Sequence, residues 1–213
     1  DAKGIAGNEG QVREVFVKYA KENADSIVFD GLGSVIAKSV GDKTGPKVLF
    51  AGHLDEVGFM VTKITEEGFI KFQTIGGWWA QVMLAQQVEI TTTKNKTIHG
   101  VTGCKPPHVL TAEVRNKAYD IQDMFIDIGA ASQEEVKGWG IRPGAMITPY
   151  IEYKRMNGSK FLLAKAWDNR AGTAVALRVL ENLAKEGHDN CLFAGSSVME
   201  EVGLRGARTS SYL

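Results

Sequence analysis

The sequence has no excess of either charge: Lys plus Arg and Asp plus Glu each number 25 in 213 residues. That balance gives no electrostatic footing for nucleic acid or an anionic membrane, so neither partner is expected. Cysteine is scarce, with Cys104 and Cys191 alone and no CxxC pair. This argues against a disulfide framework or a thiolate zinc site and makes a reducing cytoplasm the expected compartment. No apolar run approaches the roughly 20 residues needed to cross a bilayer. The opening DAKGIAGNEGQ has no initiating Met and no apolar signal core. At the other end, RGARTSSYL stops without a closing helix or polar tail. Both ends are read as trimmed, the C-terminal one substantially. Neither an internal repeat nor a low-complexity segment is found.

What remains is core-forming. Hydrophobic residues make up 44%, enough for a sizeable interior in one large domain or two small ones. Asn8 with Gln11 resembles a capping box, and Val12, Val15, Phe16 and Tyr19 recur at helical spacing, predicting a helix over 9–23. SIVFD, SVIAK and KVLFAG follow as strands, separated by GLG and GDKTGP turns. KVLFAG is apolar nearly throughout, as expected of a strand buried on both faces. From about Gly58 to Tyr150 the texture changes to short strands: FMVTKI, FIKFQTI, QVEITTT, TIHGVTG, MFIDIG and AMITPY. One helix is predicted over 132–138, with Ser132 and Glu135 as a capping box. This block, 58–150, reads as a small β-barrel or sandwich. FLLAKA is then a strand, 169–186 a helix with Val175, Val179, Leu180 and Leu183 on one face, and CLFAGSSVM a buried strand. The prediction is an α/β domain, 1–57 and 151–213, interrupted by a β insertion.

Three apolar runs end in groups that bind metals or protons. His53 and Asp55 follow KVLFAG, Asp168 follows FLLAKAW, and Glu200-Glu201 follow CLFAGSSVM. In open α/β sheets, ligands collect at the carboxyl ends of strands. Imidazole nitrogen and carboxylate oxygen suit zinc, cobalt or manganese. Asp55, two residues after His53, is placed to hold the other ring nitrogen. Asp168 can bridge two metals, Glu201 can ligate one, and Glu200 can take a proton from water. Each piece also has a plain reading: a structural HxD, a helix N-cap at Asp168-Asn169, a solvated Glu-Glu surface.

GHLDEVGFM at 52–60, AWDNRAG at 166–172 and EEVGLRGA at 200–207 together resemble the signature segments of the M42 peptidases. GGWWAQ at 76–81 and KPPH at 105–108 extend the likeness through the insertion. Members are cytosolic metallo-aminopeptidases, also called glutamyl or deblocking aminopeptidases, and some carry the name endoglucanase. The resemblance implies a zinc-peptidase-like (phosphorylase/hydrolase-like) α/β/α domain with an inserted small β-barrel. It implies two divalent ions per subunit, zinc or cobalt, and removal of N-terminal residues from peptide substrates. His53, Asp168 and Glu201 become metal ligands, Glu200 the general base and Asp55 the acid that orients the site. Homo-oligomers, including tetrahedral dodecamers, are implied as well.

The same resemblance places two further ligands, an Asp and a His, beyond Leu213, so the C-terminal part of the catalytic domain is expected to be missing here. His99, His108 and His188 are poor substitutes by position. Two other functions stay open: a glycoside hydrolase, and an inactive fragment serving only as an assembly module. Trp78-Trp79 reads either as an aromatic contact to substrate or subunit, or as packing for the barrel. Arg205 reads as a partner for a carboxylate or substrate oxygen, or as a salt bridge within its loop.

Overall fold

The computed structural model describes residues 1–41 and 45–213. Helix α1 (Gly10–Ala20) buries Val12, Phe16 and Ala20 at four-residue spacing, which aligns them on one face. The Asn8–Gln11 capping box does not form. Glu9 occupies the N-cap and no side chain caps the helix, while Gln11 Oε1 accepts from the Lys3 amide. Strands β1 (Ser26–Phe29), β2 (Val35–Val40) and β3 (Lys47–His53) follow. The expected Gly41–Pro46 turn includes residues 42–44, which lie outside the described residues. Next come β4 (Gly58–Ile64), β5 (Ile70–Ile75), β6 (Gln87–Thr91) and β7 (Thr97–Gly103). A short α2 (Ala112–Arg115), β8 (Phe125–Asp127), α3 (Gln133–Gly138) and β9 (Met146–Pro149) complete that stretch. A two-residue ladder, β10 (Lys154–Arg155) with β11 (Leu162–Leu163), precedes α4 (Trp167–Glu186), β12 (Cys191–Ser197) and α5 (Arg205–Ser210).

The chain divides into two compact units, Asp1–Glu56 with Ala166–Leu213, and Val57–Lys165. Residues 151–165, expected with the α/β unit, group with the barrel unit, and among the described residues β10 and β11 form a separate two-stranded sheet. The α/β unit holds a four-stranded sheet in the order β1-β2-β12-β3. β12 is antiparallel to β2 and parallel to β3, with Ser196 opposite Gly52 and Ser197 opposite His53. That register carries the exits of β3 and β12 to the same end of the sheet. Helices α1 and α4 cover one face, packing Val12, Phe16, Ala176 and Leu180 on Val35, Ala37, Leu192 and Ala194. Each large side chain so buried contributes about 1.5–3 kcal/mol by leaving water.

β3 departs from the expectation of burial on both faces. Leu49 is 57% and Phe50 38% exposed. The reason is position: β3 is the sheet's edge strand, and the described helices α1 and α4 pack on one face alone.

The second unit is a closed barrel in the order β4-β5-β8-β7-β6-β9. Its interior alternates with the strand period: Phe59 and Val61, Ile70 and Phe72, Val88 and Ile90 point inward and are buried. Trp78 belongs to this interior, stacked on Phe59 at 4.6 Å with Nε1 donating to the Gly58 carbonyl. Trp79 is exposed. Ser132 caps α3 by accepting from the Glu135 amide, and Glu135 reaches back to the Ala131 amide.

Candidate metal centre

His53 is the last residue of β3 and lies 4% exposed. Its Nδ1 donates to the carbonyl oxygen of Asp55 at 2.9 Å. The Asp55 carboxylate stands farther off, at 3.5 Å. Its oxygens are engaged elsewhere: Oδ1 accepts from the Glu200 amide at 3.0 Å and Oδ2 from the Glu201 amide at 3.1 Å. Asp55 thus orients the ring through its backbone and fastens the Glu200-Glu201 turn through its side chain.

The other ring nitrogen, Nε2, faces carboxylates. Asp168 Oδ1 lies 3.0 Å away and Glu200 Oε2 3.7 Å. Among the described residues, His53, Glu200 and Glu201 form a group whose donor atoms all fall within 4.8 Å of one another. Asp168 is not in that mutual group, and its side chain is 86% exposed. Its placement also differs from the sequence reading. The FLLAKAW run contributes only the two residues of β11, outside the four-stranded sheet. Asp168 instead sits at the entry of α4, where Ala166 is left-handed (φ 55°) and residues 168 and 169 depart from helical geometry. The Asp168-Asn169 peptide is cis.

Burial works against a charged ring at His53, yet the nearby Asp55 and Asp168 carboxylates, with the Asp55 carbonyl, outweigh it and push the ring up to about 9. Burial also raises Asp55, but His53 and the amides of Glu200 and Glu201 hold its carboxyl below the ordinary range. Glu201 is pushed up by burial. His53 opposes that push, and the charges of Asp55, Glu200 and Asp168 add to it. The cluster is short of positive charge, and a divalent cation among imidazole nitrogen and carboxylate oxygens relieves that repulsion. The residues present therefore fit a cation of the zinc or cobalt type.

A family model described as M42 glutamyl aminopeptidase matches residues 33–213. The chain belongs to the M42 family. FrvX of Escherichia coli (strain K12) is 44% identical over 211 residues, covering 99% of this chain and 58% of that protein. A TET aminopeptidase from the marine sediment archaeon Thaumarchaeota archaeon SCGC AB-539-E09 is 40% identical with a TM-score of 0.95, over 99% of this chain and 59% of that one. The Pyrococcus horikoshii TET1 peptidase, which can assemble into a tetrahedron or a large octahedral shell, is 30% identical with a TM-score of 0.83. That match covers 96% of this chain and 60% of that one. The M42 chain thus spans about three fifths of the length of these relatives.

Other histidines of this M42 chain have structural partners. His188 bridges the Ser39 hydroxyl and the Asn190 carbonyl at the opposite end of the sheet, and His99 meets the edge of Tyr150 in the barrel. Arg205 donates to the Val202 carbonyl within its own turn. Two supporting acids escaped the sequence reading. Glu56, 2% exposed, pairs with Arg170 at 2.9 Å, and Arg170 also donates to the Leu54 and Ala2 carbonyls. This clamp ties the loop carrying Asp55 to the start of α4. Its one sequence signal was a second acid directly after HLD. Glu9 is the second and is taken up below.

Proposed function

We propose that the protein is a metal-dependent aminopeptidase that removes N-terminal residues from peptides. The observation that carries this reading is the convergence of His53, Glu200 and Glu201 within 4.8 Å, at the carboxyl ends of β3 and β12 in an M42 chain. His53, Asp168 and Glu201 are the residues to hold the cations, two per subunit and of zinc or cobalt type. When bound, such ions supply Lewis-acid polarisation of the scissile carbonyl and favour deprotonation of water. Glu200 acts as general base: it takes a proton from the attacking water and delivers it to the leaving amine. Asp55 keeps Glu200 and Glu201 in place through their amides, and its carbonyl sets the ring of His53.

The aminopeptidase named among the relatives supports the reaction class. The tetrahedral and octahedral shells of the TET1 peptidase support homo-oligomer formation here. Two free thiols suit work in a reducing cytoplasm. Geometry disfavours a glycoside hydrolase, which needs carboxylates on opposite sides of the sugar bond. Glu200 and Glu201 have their amides on one Asp55 side chain and their carboxylates gathered within 4.8 Å round His53, a poor arrangement for flanking a sugar bond. The test is peptide hydrolysis by the full-length protein. Release of N-terminal residues should stop on chelation, return with zinc or cobalt, and fail on N-acetylated peptides. Undiminished release after exhaustive chelation would sink the proposal.

A further inference from the structure

Glu9 breaks a local rule. It stands at the N-cap of α1, where a short polar or acidic side chain ordinarily accepts from the first free amides of the helix. Here no side chain does so. Glu9 is 3% exposed, and its Oε1 turns away from the helix. It accepts from the Gly7 amide at 2.8 Å and from the Met199 amide at 3.0 Å, the latter 190 residues distant. The next two amides, of Glu200 and Glu201, end on Asp55. Three consecutive backbone N–H groups are therefore held by two buried carboxylates from two remote segments.

Met199 has φ 53°. A side chain other than glycine seldom adopts this left-handed backbone, which persists only where the surroundings hold it. The turn that follows depends on it, because Met199 sets the direction in which Glu200 and Glu201 leave β12. A helix cap has been given up, and the acid committed to this turn. Local rules broken in this way tend to mark function.

We propose that Glu9 is a positioning residue for the Glu200-Glu201 turn. By holding the Met199 amide it fixes the residue that precedes both carboxylates, so that they gather with His53 within 4.8 Å. It touches neither substrate nor cation. The inference rests on the metal-site reading above, and it extends the functional unit ahead of the family-matched segment. The rival is a merely architectural role, with Glu9 stapling α1 to the sheet.

The experiment compares Glu9→Ala, Glu9→Gln and Glu9→Asp in the full chain. Amide hydrogen exchange is followed at Gly7 and at residues 199–201, and Zn²⁺ affinity by competition with a chromophoric chelator. Glu9→Ala should accelerate exchange at Glu200 and Glu201, which Glu9 does not touch. It should also weaken Zn²⁺ binding about tenfold or more, the scale seen when a residue that orients ligands is lost. Glu9→Gln keeps an oxygen that can accept both amides and should rescue both readouts. Glu9→Asp keeps the charge, falls one methylene short and should behave like Glu9→Ala. Faster exchange confined to Gly7 and Met199 with unchanged Zn²⁺ affinity overturns the proposal, as does a Glu9→Gln variant impaired like Glu9→Ala. Should Glu9→Ala not fold, the remaining pair decides. Impaired Glu9→Asp beside intact Glu9→Gln supports positioning, and equal behaviour refutes it. If the unsubstituted protein takes up no Zn²⁺, the metal-site reading falls, while exchange at Glu200 and Glu201 still decides the part played by Glu9.

Discussion

Glu200 and Glu201 are neighbours for which divided work is proposed. Both amides end on Asp55, but the side chains meet different surroundings. Glu200 stands 3.7 Å from His53 Nε2, whereas burial and three carboxylate neighbours push Glu201 up. On the proposed reading Glu201 holds the cation and Glu200 carries the proton. Glu200→Gln is therefore expected to keep its metal content by elemental analysis and to lose about a hundredfold in turnover on a peptide substrate. Wild-type turnover in a metal-loaded sample would remove Glu200 from that role. His53 and the Glu pair were legible in the sequence because KVLFAG and CLFAGSSVM are true sheet strands, and their exits had to share an end. Asp168 was reached by a faulty route. FLLAKAW looks like a third such strand, yet a kinked helix entry brings Asp168 to His53. Glu9 was illegible, since its partner lies 190 residues away and its position beside Asn8 reads as a helix start.

At the scale of elements, β3 and α4 approach closely. A Cβ on Gly52 would stand 2.6 Å from the Thr173 amide nitrogen and 2.9 Å from the Asn169 carbonyl oxygen. Both are backbone atoms, so the helix would have to move. Thr173 also donates to the His53 carbonyl, and its hydroxyl meets Ser196 at 2.7 Å. Gly52→Ala should lower stability by about 1–3 kcal/mol, measured by urea unfolding, and an unchanged midpoint would mean that α4 shifts freely. A second junction is the β1–β2 turn. Asp30 accepts from the amides of Leu32, Gly33 and Ser34 and from the Thr209 hydroxyl of α5. Burial raises its carboxyl, but hydrogen bonds from Thr209 and Ser34 outweigh burial and hold it below the ordinary 3.8. A lowered folded-state value means that ionised Asp30 stabilises the fold above the unfolded value and ceases to as pH falls through the folded one. The stability gap between wild type and Asp30→Asn should be full near neutrality and close progressively below about pH 4. A gap of constant size across that range would show that the charge of Asp30 contributes nothing. The barrel strands were readable from two-residue alternation, whereas their closure and partner order depend on pairings between distant segments.

For the molecule as a whole, β3 is an exposed apolar strand. It is an edge strand, and Leu49, 57% exposed, projects beside Gly195 on the face away from α1 and α4. Exposed apolar edges are templates for pairing with another chain. The 213-residue chain should therefore self-associate as concentration rises, and Leu49→Lys should weaken that association in sedimentation velocity. Equal association by both would place the contact elsewhere. The order β1-β2-β12-β3 has one more implication, for the time at which the centre comes into being. β2 and β3 leave the ribosome in succession but are not neighbours, and the slot between them waits for β12. Glu200 is made 145 residues after Asp55. At about 5–20 residues per second, that interval is roughly 7–30 s, and the whole barrel is synthesised within it. His53 thus spends the making of the barrel without Asp168 and Glu200, and the cluster at the ends of β3 and β12 can form only after the barrel has been made.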